Sequence, residues 1–141
     1  MTGADIVAEA RSWLGTAFHW QASLKGVGAD CKGLVWGVAR ELGLPEAQSL
    51  YASTADYGAK VPAALLKRGL GETFLRVADP RPGDVLLMKP GGVAQHLAIH
   101  AGETVIHTYS TGPRCVVETP IRAALRAWPL DSAWRFPSLE D

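Results

Sequence analysis

The sequence predicts a single α+β domain, with helices in its first half and an antiparallel sheet in its second half. Up to about residue 70, apolar residues recur at the three- and four-residue spacing of helix faces. From residue 74 onward, short apolar runs alternate with glycine- and proline-rich turns, which is typical of antiparallel strands. Helices followed by strands indicate an α+β architecture. The length of 141 residues suits one domain, which we expect to span residues 1–141.

Two helices are predicted before residue 45. The first begins after Thr2 and ends before Gly15, and its apolar face consists of Ile6, Val7, Ala10, Trp13 and Leu14. The second begins after Asp30, whose side chain is a good cap, and it ends at Gly43. Its apolar stripe consists of Leu34, Val35, Val38 and Leu42. Both helices therefore present one face to a core.

The remaining elements are a third helix, a sheet and a short helix near the end. Residues 44–59 are expected to form a loop with a short helical piece, and the third helix is predicted over residues 63–68, closed by Gly69. A short helix is predicted over residues 122–127. The predicted strands are residues 74–77, 84–88, 96–101, 104–109, 115–118 and 132–136. We therefore expect an antiparallel sheet of about five to six strands.

Charge and composition exclude several classes of function. The 14 basic and 14 acidic side chains balance, so no electrostatic argument favours nucleic acid or an anionic membrane as a partner. Apolar stretches are interrupted before the roughly 18 residues that a membrane span needs, so we expect no stable membrane insertion. Asp5 and Glu9 lie where an export signal would carry basic residues, so we expect a chain made in the cytoplasm without a signal peptide. Its two cysteines are not expected to form a structural disulfide.

Cys31 is the first residue with a chemical interpretation. If Asp30 caps the second helix, Cys31 falls in the first helical turn, where free amides and the helix dipole favour negative charge. A thiol at that position commonly has a lowered pKa and is a better nucleophile. The same amides can hold the oxyanion of a tetrahedral intermediate. The alternative is a small buried residue that opens a helix.

The histidines provide a candidate base for that thiol. If Gly102 and Glu103 form a two-residue turn, strand alternation places His96, His100 and His107 on one sheet face. His96 and His107 are then diagonal neighbours with backbones about 7 Å apart, within side-chain reach. We expect His96 to move the thiol proton and His107 to orient the imidazole, with His100 at the rim. A three-residue turn would reverse the parity and break this arrangement.

A zinc site is the competing interpretation of the same side chains. The candidate ligands are His96, His100, His107 and Cys115. They lack HExxH or CxxC spacing, and zinc would leave Cys31 unexplained, so we expect neither metal nor cofactor. Among the aromatic residues, Trp20 and the neighbouring His19 are expected to line the cleft, and Trp128 is expected to be a packing residue.

At this point the residues resemble a known family. Residues 15–20 (GTAFHW) and 28–35 (GADCKGLV) are similar to the nucleophile region of NlpC-type cell-wall peptidases. Residues 81–87 (RPGDVLL) resemble the family's Pro-Gly-Asp strand, and residues 96–107 resemble its catalytic-histidine strand with the polar third residue that follows. The likeness runs in order from about residue 5 to residue 120. Residues 21–28 resemble compact members found in phage tails and gene transfer agents.

The resemblance implies a papain-like α+β fold with the nucleophile at a helix N-terminus and hydrolysis of an amide bond in peptidoglycan stem peptides. The usual bond lies between γ-D-glutamate and the following diamino acid. By position, Cys31 is the nucleophile, His96 the base and acid, and His107 the orienting residue. The substrate-binding positions are Phe18, His19, Trp20, Asp30 and Lys32. The implied setting is a phage-like tail particle that acts on a recipient cell wall, with tail hub or tail-tip proteins as partners.

Three departures from the family pattern keep other functions open. Phe18 stands where a tyrosine is frequent, Lys32 where a serine is frequent, and Gln21-Ala22 where two glycines are common. Lys32 is expected either to favour a carboxylate or to help lower the pKa of Cys31. One alternative function is a structural tail-tip module with little or no hydrolysis. Another is acyl transfer or deamidation by the same residues.

Overall fold

A six-stranded antiparallel sheet with helices on both faces forms the body of the molecule. The computed structural model of the protein describes residues 1–49 and 62–140. Its α-helices with both ends among the described residues are α1 (Gly3–Arg11), α2 (Cys31–Glu41), α3 (Ala63–Thr73) and α4 (Ile121–Ala127), and a 3-10 turn covers Pro90–Gly92. Its strands are β1 (Ser23–Leu24), β2 (Gly28–Ala29), β3 (Leu75–Val77), β4 (Val85–Met88), β5 (His96–His100), β6 (Thr104–Thr108), β7 (Val116–Pro120) and β8 (Leu130–Arg135). None of the described helices is long and apolar enough to cross a membrane.

The sheet has the strand order β3-β8-β4-β5-β6-β7, and all neighbours are antiparallel. Strands β4 to β7 follow one another as a meander, as the sequence predicts. The last strand, β8, is inserted between β3 and β4. A separate hairpin of β1 and β2, which was not predicted, precedes α2. The predicted α+β class and the number of strands are confirmed.

The two sheet faces carry cores of different size. The larger core lies between one face and helices α1, α2 and α3, and Leu97, Ile99 and Ile106 contribute to it from the sheet. This is the apolar face that strand alternation predicts. The opposite face carries a smaller cluster under α4, formed by Leu86, Met88, Ala98, Val105, Ala124 and Ala133. Because both faces are covered, side chains that alternate away from the main core are also buried.

Helix α1 begins as predicted and ends earlier. Thr2 and Asp5 form a capping box, in which the Asp5 carboxylate accepts the Thr2 backbone N–H at 2.8 Å. The helix ends at Arg11, so Leu14 is out of phase with its buried face and is 43% exposed. Trp13 is fully buried and its indole N–H donates to Glu9 at 2.9 Å. The prediction that Leu14 belongs to the apolar face is therefore wrong.

Helix α3 continues past the glycine that was expected to close it. Gly69 is buried inside the helix, and Leu66 and Leu70 on the same side are 6% and 2% exposed. Their burial outweighs the roughly 1 kcal/mol that a glycine costs in a helix interior. The helix therefore ends at Thr73. Of the predicted loop over 44–59, residues 46–49 are helical and the remainder from residue 50 lies outside the described residues.

Asp84 connects the start of β4 to the end of β8. Its carboxylate is 1% exposed and accepts two hydrogen bonds of 2.8 Å from the Arg135 guanidinium and a third of 2.8 Å from the Arg81 backbone N–H. A buried carboxylate requires such partners, since its desolvation is otherwise costly. This explains the aspartate of the Pro-Gly-Asp segment as a structural residue that fixes two neighbouring strands.

Candidate active site

Cys31 is the first residue of α2, as predicted. The helix is capped by Asp30, whose two carboxylate oxygens accept the backbone N–H groups of Gly33 at 2.7 Å and of Gln21 at 2.8 Å. A Cβ added at Gly33 would lie 1.8 Å from the Ala22 carbonyl oxygen, so only glycine allows this close packing. Asp30 therefore both starts the helix and ties the preceding loop to it, and so fixes the position of Cys31.

The histidine pair forms through the predicted strand register. Ile99 pairs with Ile106, His100 pairs with Val105, and the Ala101 N–H donates to the Thr104 carbonyl at 2.8 Å, which confirms the two-residue turn. This register brings His96 Nε2 to 2.8 Å from His107 Nδ1. The other nitrogen of His107, Nε2, lies 2.9 Å from the Thr119 hydroxyl oxygen. His107 is fully buried and His96 is 7% exposed.

Cys31 and His96 line the same cleft, which has a volume of about 190 Å³. The thiol sulfur lies 4.0 Å from the carbonyl oxygen of Gln95, the residue before His96. Because His96 Nε2 faces His107, Nδ1 is the nitrogen left for the cleft, and it makes no hydrogen bond to the described residues. The site therefore combines a thiol with two imidazoles that are hydrogen-bonded to each other.

Four of the five predicted substrate-binding residues line this cleft, namely Phe18, Trp20, Asp30 and Lys32. The ring of Phe18 packs edge-on against Trp20, with centroids 4.8 Å apart. The Lys32 ammonium lies 3.9 Å from the Asp30 carboxylate. His19 does not line the cleft; its side chain is exposed and packs beside Gly28. His19 packs against the hairpin of β1 and β2, at Gly28, and not against the cleft.

Three residues on the histidine face differ from expectation or were missed. Trp128 is a cleft residue rather than only a packing residue, since its ring centroid lies 4.6 Å from that of His96. His100 is not at a rim: it is 8% exposed, and its Nδ1 accepts the Gly102 N–H at 3.1 Å. Thr119 was missed because the predicted strand ended one residue before it. Continued alternation past Val117 would have identified it.

Burial sets the protonation of the cleft residues. It raises the pKa of the Cys31 thiol to about 11, with the negative charge of Asp30 acting in the same direction. The backbone N–H groups of Leu97 and Lys32 and the Lys32 charge lower the pKa of Cys31 by smaller amounts. Burial also lowers the pKa of His96 to about 3 and that of His107 to about 4. The raised pKa of Cys31 is opposite in direction to the lowered pKa expected for it, and burial favours the neutral forms of the thiol and of both imidazoles.

The same residues do not assemble a metal site. Within residues 1–49 and 62–140, no group of three or more histidine, cysteine or acidic side chains is placed to hold a metal ion. Both cysteines are free, and both ring nitrogens of His107 already face other side chains. The zinc interpretation therefore has no ligand cluster in the described part of the chain.

A cysteine at a helix N-terminus that shares a cleft with a histidine on an antiparallel sheet is the arrangement of papain-like cysteine hydrolases. The model of the NlpC/P60 family matches residues 15–123, and the chain belongs to this family. The resemblance inferred from the nucleophile and histidine segments is thereby confirmed at the family level. A comparison with curated proteins finds no match.

Solved structures share this fold over almost the whole chain. NlpC2 of Trichomonas vaginalis matches 96% of this chain and 48% of its own, at 17% identity and a TM-score of 0.68. NlpC1 of the same organism matches 95% of this chain and 44% of its own length, at 15% identity and a TM-score of 0.69. The chain thus spans about half the length of these two proteins. The NlpC/p60 domain of the peptidoglycan hydrolase SagA is covered completely, at 26% identity and a TM-score of 0.58, with 96% of this chain matched.

Proposed function

We propose that residues 1–141 form one cysteine peptidase domain that hydrolyses an amide bond in peptidoglycan stem peptides. The observation that carries this proposal is the hydrogen-bonded pair of His96 and His107 in the same cleft as Cys31. Membership of the NlpC/P60 family and the likeness to the domain of a peptidoglycan hydrolase support the choice of substrate. Fold alone would not decide the chemistry.

The first half of the reaction forms a thioester. The Cys31 sulfur attacks the amide carbonyl carbon while its proton passes to His96 Nδ1, so that charge develops only as the carbon–sulfur bond forms. The resulting imidazolium gives this proton to the amine nitrogen as the carbon–nitrogen bond breaks. Water then attacks the thioester with His96 again as base, which releases the acid product and the thiol.

The groups around the thiol have separate roles in the proposed reaction. The Asp30 carboxylate and carbonyl use the N–H groups of Gly33 and Leu34, which leaves those of Cys31 and Lys32 without a carbonyl partner in the described residues. These N–H groups are the candidates for stabilising the oxyanion at the start of α2. His107 accepts the Nε2–H of His96 and so keeps Nδ1 available for the proton of the thiol.

For the bond itself, we propose the linkage between γ-D-glutamate and the following diamino acid. Such stem peptides carry free carboxylates, and Lys32 places an ammonium group in the cleft. Both Asp30 oxygens already accept short backbone hydrogen bonds, and the ammonium at 3.9 Å is not a close partner. Lys32 is therefore available to a substrate carboxylate.

The decisive experiment is incubation of the purified protein with defined peptidoglycan fragments, followed by mass spectrometry of the products. We expect one cut within the stem peptide and its loss in Cys31→Ser. A Cys115→Ser variant is the matched control, because Cys115 lies outside the cleft, and it should cut normally. No cut by the intact protein, or an unchanged cut by Cys31→Ser, would contradict the proposal.

A structural tail-tip module on the same fold is the second candidate. Two observations favour it: Phe18 offers no hydroxyl to the cleft, and burial raises the pKa of the Cys31 thiol to about 11. Alkylation of Cys31 by iodoacetamide at pH 6 separates the two candidates. A thiol whose proton is taken by His96 is alkylated more slowly in His96→Ala than in the parent, whereas a structural thiol is alkylated at the same rate in both. Acyl transfer or deamidation would instead appear in the product masses.

We also propose that the domain, made in the cytoplasm, acts in a phage-like tail particle that opens the wall of a recipient bacterium. The support is the likeness of residues 21–28 to compact members of such particles, and the partners would be tail hub or tail-tip proteins. Sedimentation of particles from the producing cells, followed by mass spectrometry, tests this. Recovery of the chain only outside the particle fraction would contradict it.

A further inference from the structure

A diagonal line of polar side chains crosses three adjacent strands behind the cleft. It consists of His96 on β5, His107 on β6 and Thr119 on β7, joined by contacts of 2.8 and 2.9 Å. Val105 is directly opposite Thr119, so Thr119 lies on the sheet face of His107, one diagonal step away. The line therefore ends in a hydroxyl, which can either accept or donate a hydrogen bond.

The direction of these hydrogen bonds decides whether His96 can act as a base. If Thr119 accepts from His107 Nε2–H, then His107 Nδ1 accepts from His96 Nε2–H, and His96 Nδ1 carries a lone pair. If Thr119 instead donates to His107 Nε2, both bonds reverse and His96 Nδ1 carries the proton. Only the first arrangement leaves a nitrogen that can take the proton of Cys31.

The burial of His96 favours the first arrangement. His96 is 7% exposed and its Nδ1 makes no hydrogen bond to the described residues, so a proton on Nδ1 would be a donor without an acceptor. Thr119 is only partly buried, so its own proton can be directed to solvent while its lone pairs accept from His107. The Tyr109 ring packs against both imidazoles, with centroids 4.6 Å from His107 and 6.0 Å from His96.

We propose that Thr119 is a positioning residue: its hydroxyl accepts the Nε2–H of His107 and so fixes the proton arrangement in which His96 Nδ1 is the unprotonated nitrogen facing the cleft. The kinetic consequence rests on the proposed peptidase function, whereas the proton arrangement itself does not. Thr119 acts through His107 and contacts no reacting atom.

The kinetic test compares Thr119→Val with Thr119→Ser. Valine keeps the β-branched shape and suits a strand, so the variant should fold, but it can neither accept nor donate. We expect kcat to fall about 5- to 50-fold with KM nearly unchanged, because the fully buried His107 loses its hydrogen bond to the part-buried hydroxyl. Thr119→Ser keeps the hydroxyl and should stay within about threefold of the parent. Equal loss in both variants would overturn the proposal, since it would reflect packing alone.

The spectroscopic test needs no substrate. In protein labelled with ¹⁵N-histidine, long-range ¹H–¹⁵N spectra at pH 7 distinguish the two neutral tautomers of each ring. We expect the Nε2–H form for both His96 and His107, and a shift toward the Nδ1–H form in Thr119→Val. The signals of His19 and His100, which make no contact with Thr119, should not move.

The two tests separate the possible failures. If both histidines show the expected tautomers but the protein cleaves no peptidoglycan fragment, the positioning role stands and the proposed peptidase is refuted. If the protein cleaves the fragments but its His107 is in the Nδ1–H form, the positioning role is refuted and the peptidase stands. The same holds if it cleaves the fragments and the tautomers of His96 and His107 are the same in Thr119→Val as in the parent.

Discussion

In the proposed arrangement His107 accepts the Nε2–H of His96, and replacing His107 with alanine removes that acceptor. That hydrogen bond is 2.8 Å long and His96 is 7% exposed, so water cannot fully replace the lost partner. A buried donor left without an acceptor costs about 1–3 kcal/mol, which corresponds to a fall in kcat/KM of about 5- to 150-fold. Losing the base itself in His96→Ala should cost more, since general acid–base catalysis contributes about 10²–10⁴-fold.

Asparagine at position 107 should retain most of the activity that His107→Ala loses. In the same side-chain rotamer, its Oδ1 occupies the place of the imidazole Nδ1, because both atoms are bonded to Cγ. We expect His107→Asn to retain a rate within about threefold of the parent, as a neutral hydrogen bond is replaced by another. The assay is cleavage of a purified stem peptide, with rates normalised to the folded fraction measured by circular dichroism.

His100→Asn is the matched control on the same sheet face. Its Nδ1 accepts the Gly102 N–H at 3.1 Å, which the asparagine oxygen can also accept, and it does not line the cleft. Its rate should be unchanged. Full activity in His107→Ala, or a loss in His100→Asn as large as that in His107→Ala, would refute the assignment of the third residue.

Three further predictions concern stability and charge. Asp84→Asn should lower the free energy of unfolding by about 3 kcal/mol in urea titrations, because it leaves the Arg135 guanidinium without its buried ionic partner; a loss below about 1 kcal/mol would contradict this. Stability should fall as pH falls below about 6.5, since the folded pKa values of His96 and His107 are lowered and the unfolded chain binds protons first. Urea midpoints at pH 7 and pH 5 measure this fall, which should be smaller in His107→Asn. Lys32→Ala should raise the pKa of Cys31 in a thiolate absorbance titration, because the Lys32 charge lowers it; an unchanged pKa would remove this role.

The strand register was predictable because several local constraints agree. The positive φ of Gly102 suits a tight turn, and Leu97, Ile99 and Ile106 occupy the face that packs on the helices. A shift by one residue would move that whole apolar set to the other face, so the register is strongly specified. The contact between His96 and His107 follows from this register alone, which is why it could be predicted without a structure.

Features set by distant parts of the chain were not predictable in the same way. Helix α3 passes through Gly69 because Leu66 and Leu70 are buried against elements far along the sequence. The burial of His100 and the approach of Trp128 to His96 both depend on how the second sheet face is covered, which no local pattern reports. Propensity and alternation describe one element at a time, whereas these outcomes depend on what packs against that element.

The protonation of Cys31 shows the same division between local and global effects. The helix N-terminus, with its free amides, favours the thiolate and could be read from the sequence. Desolvation opposes it and depends on the cleft, which is assembled from segments as distant as α2 and β5. In the structure desolvation is the larger effect, and it favours the neutral thiol and the neutral imidazole. In the proposed reaction a neutral thiol gives up its proton only as the carbon–sulfur bond forms, so the proposal depends more on the orientation of His96 by His107 than on the resting charge of Cys31.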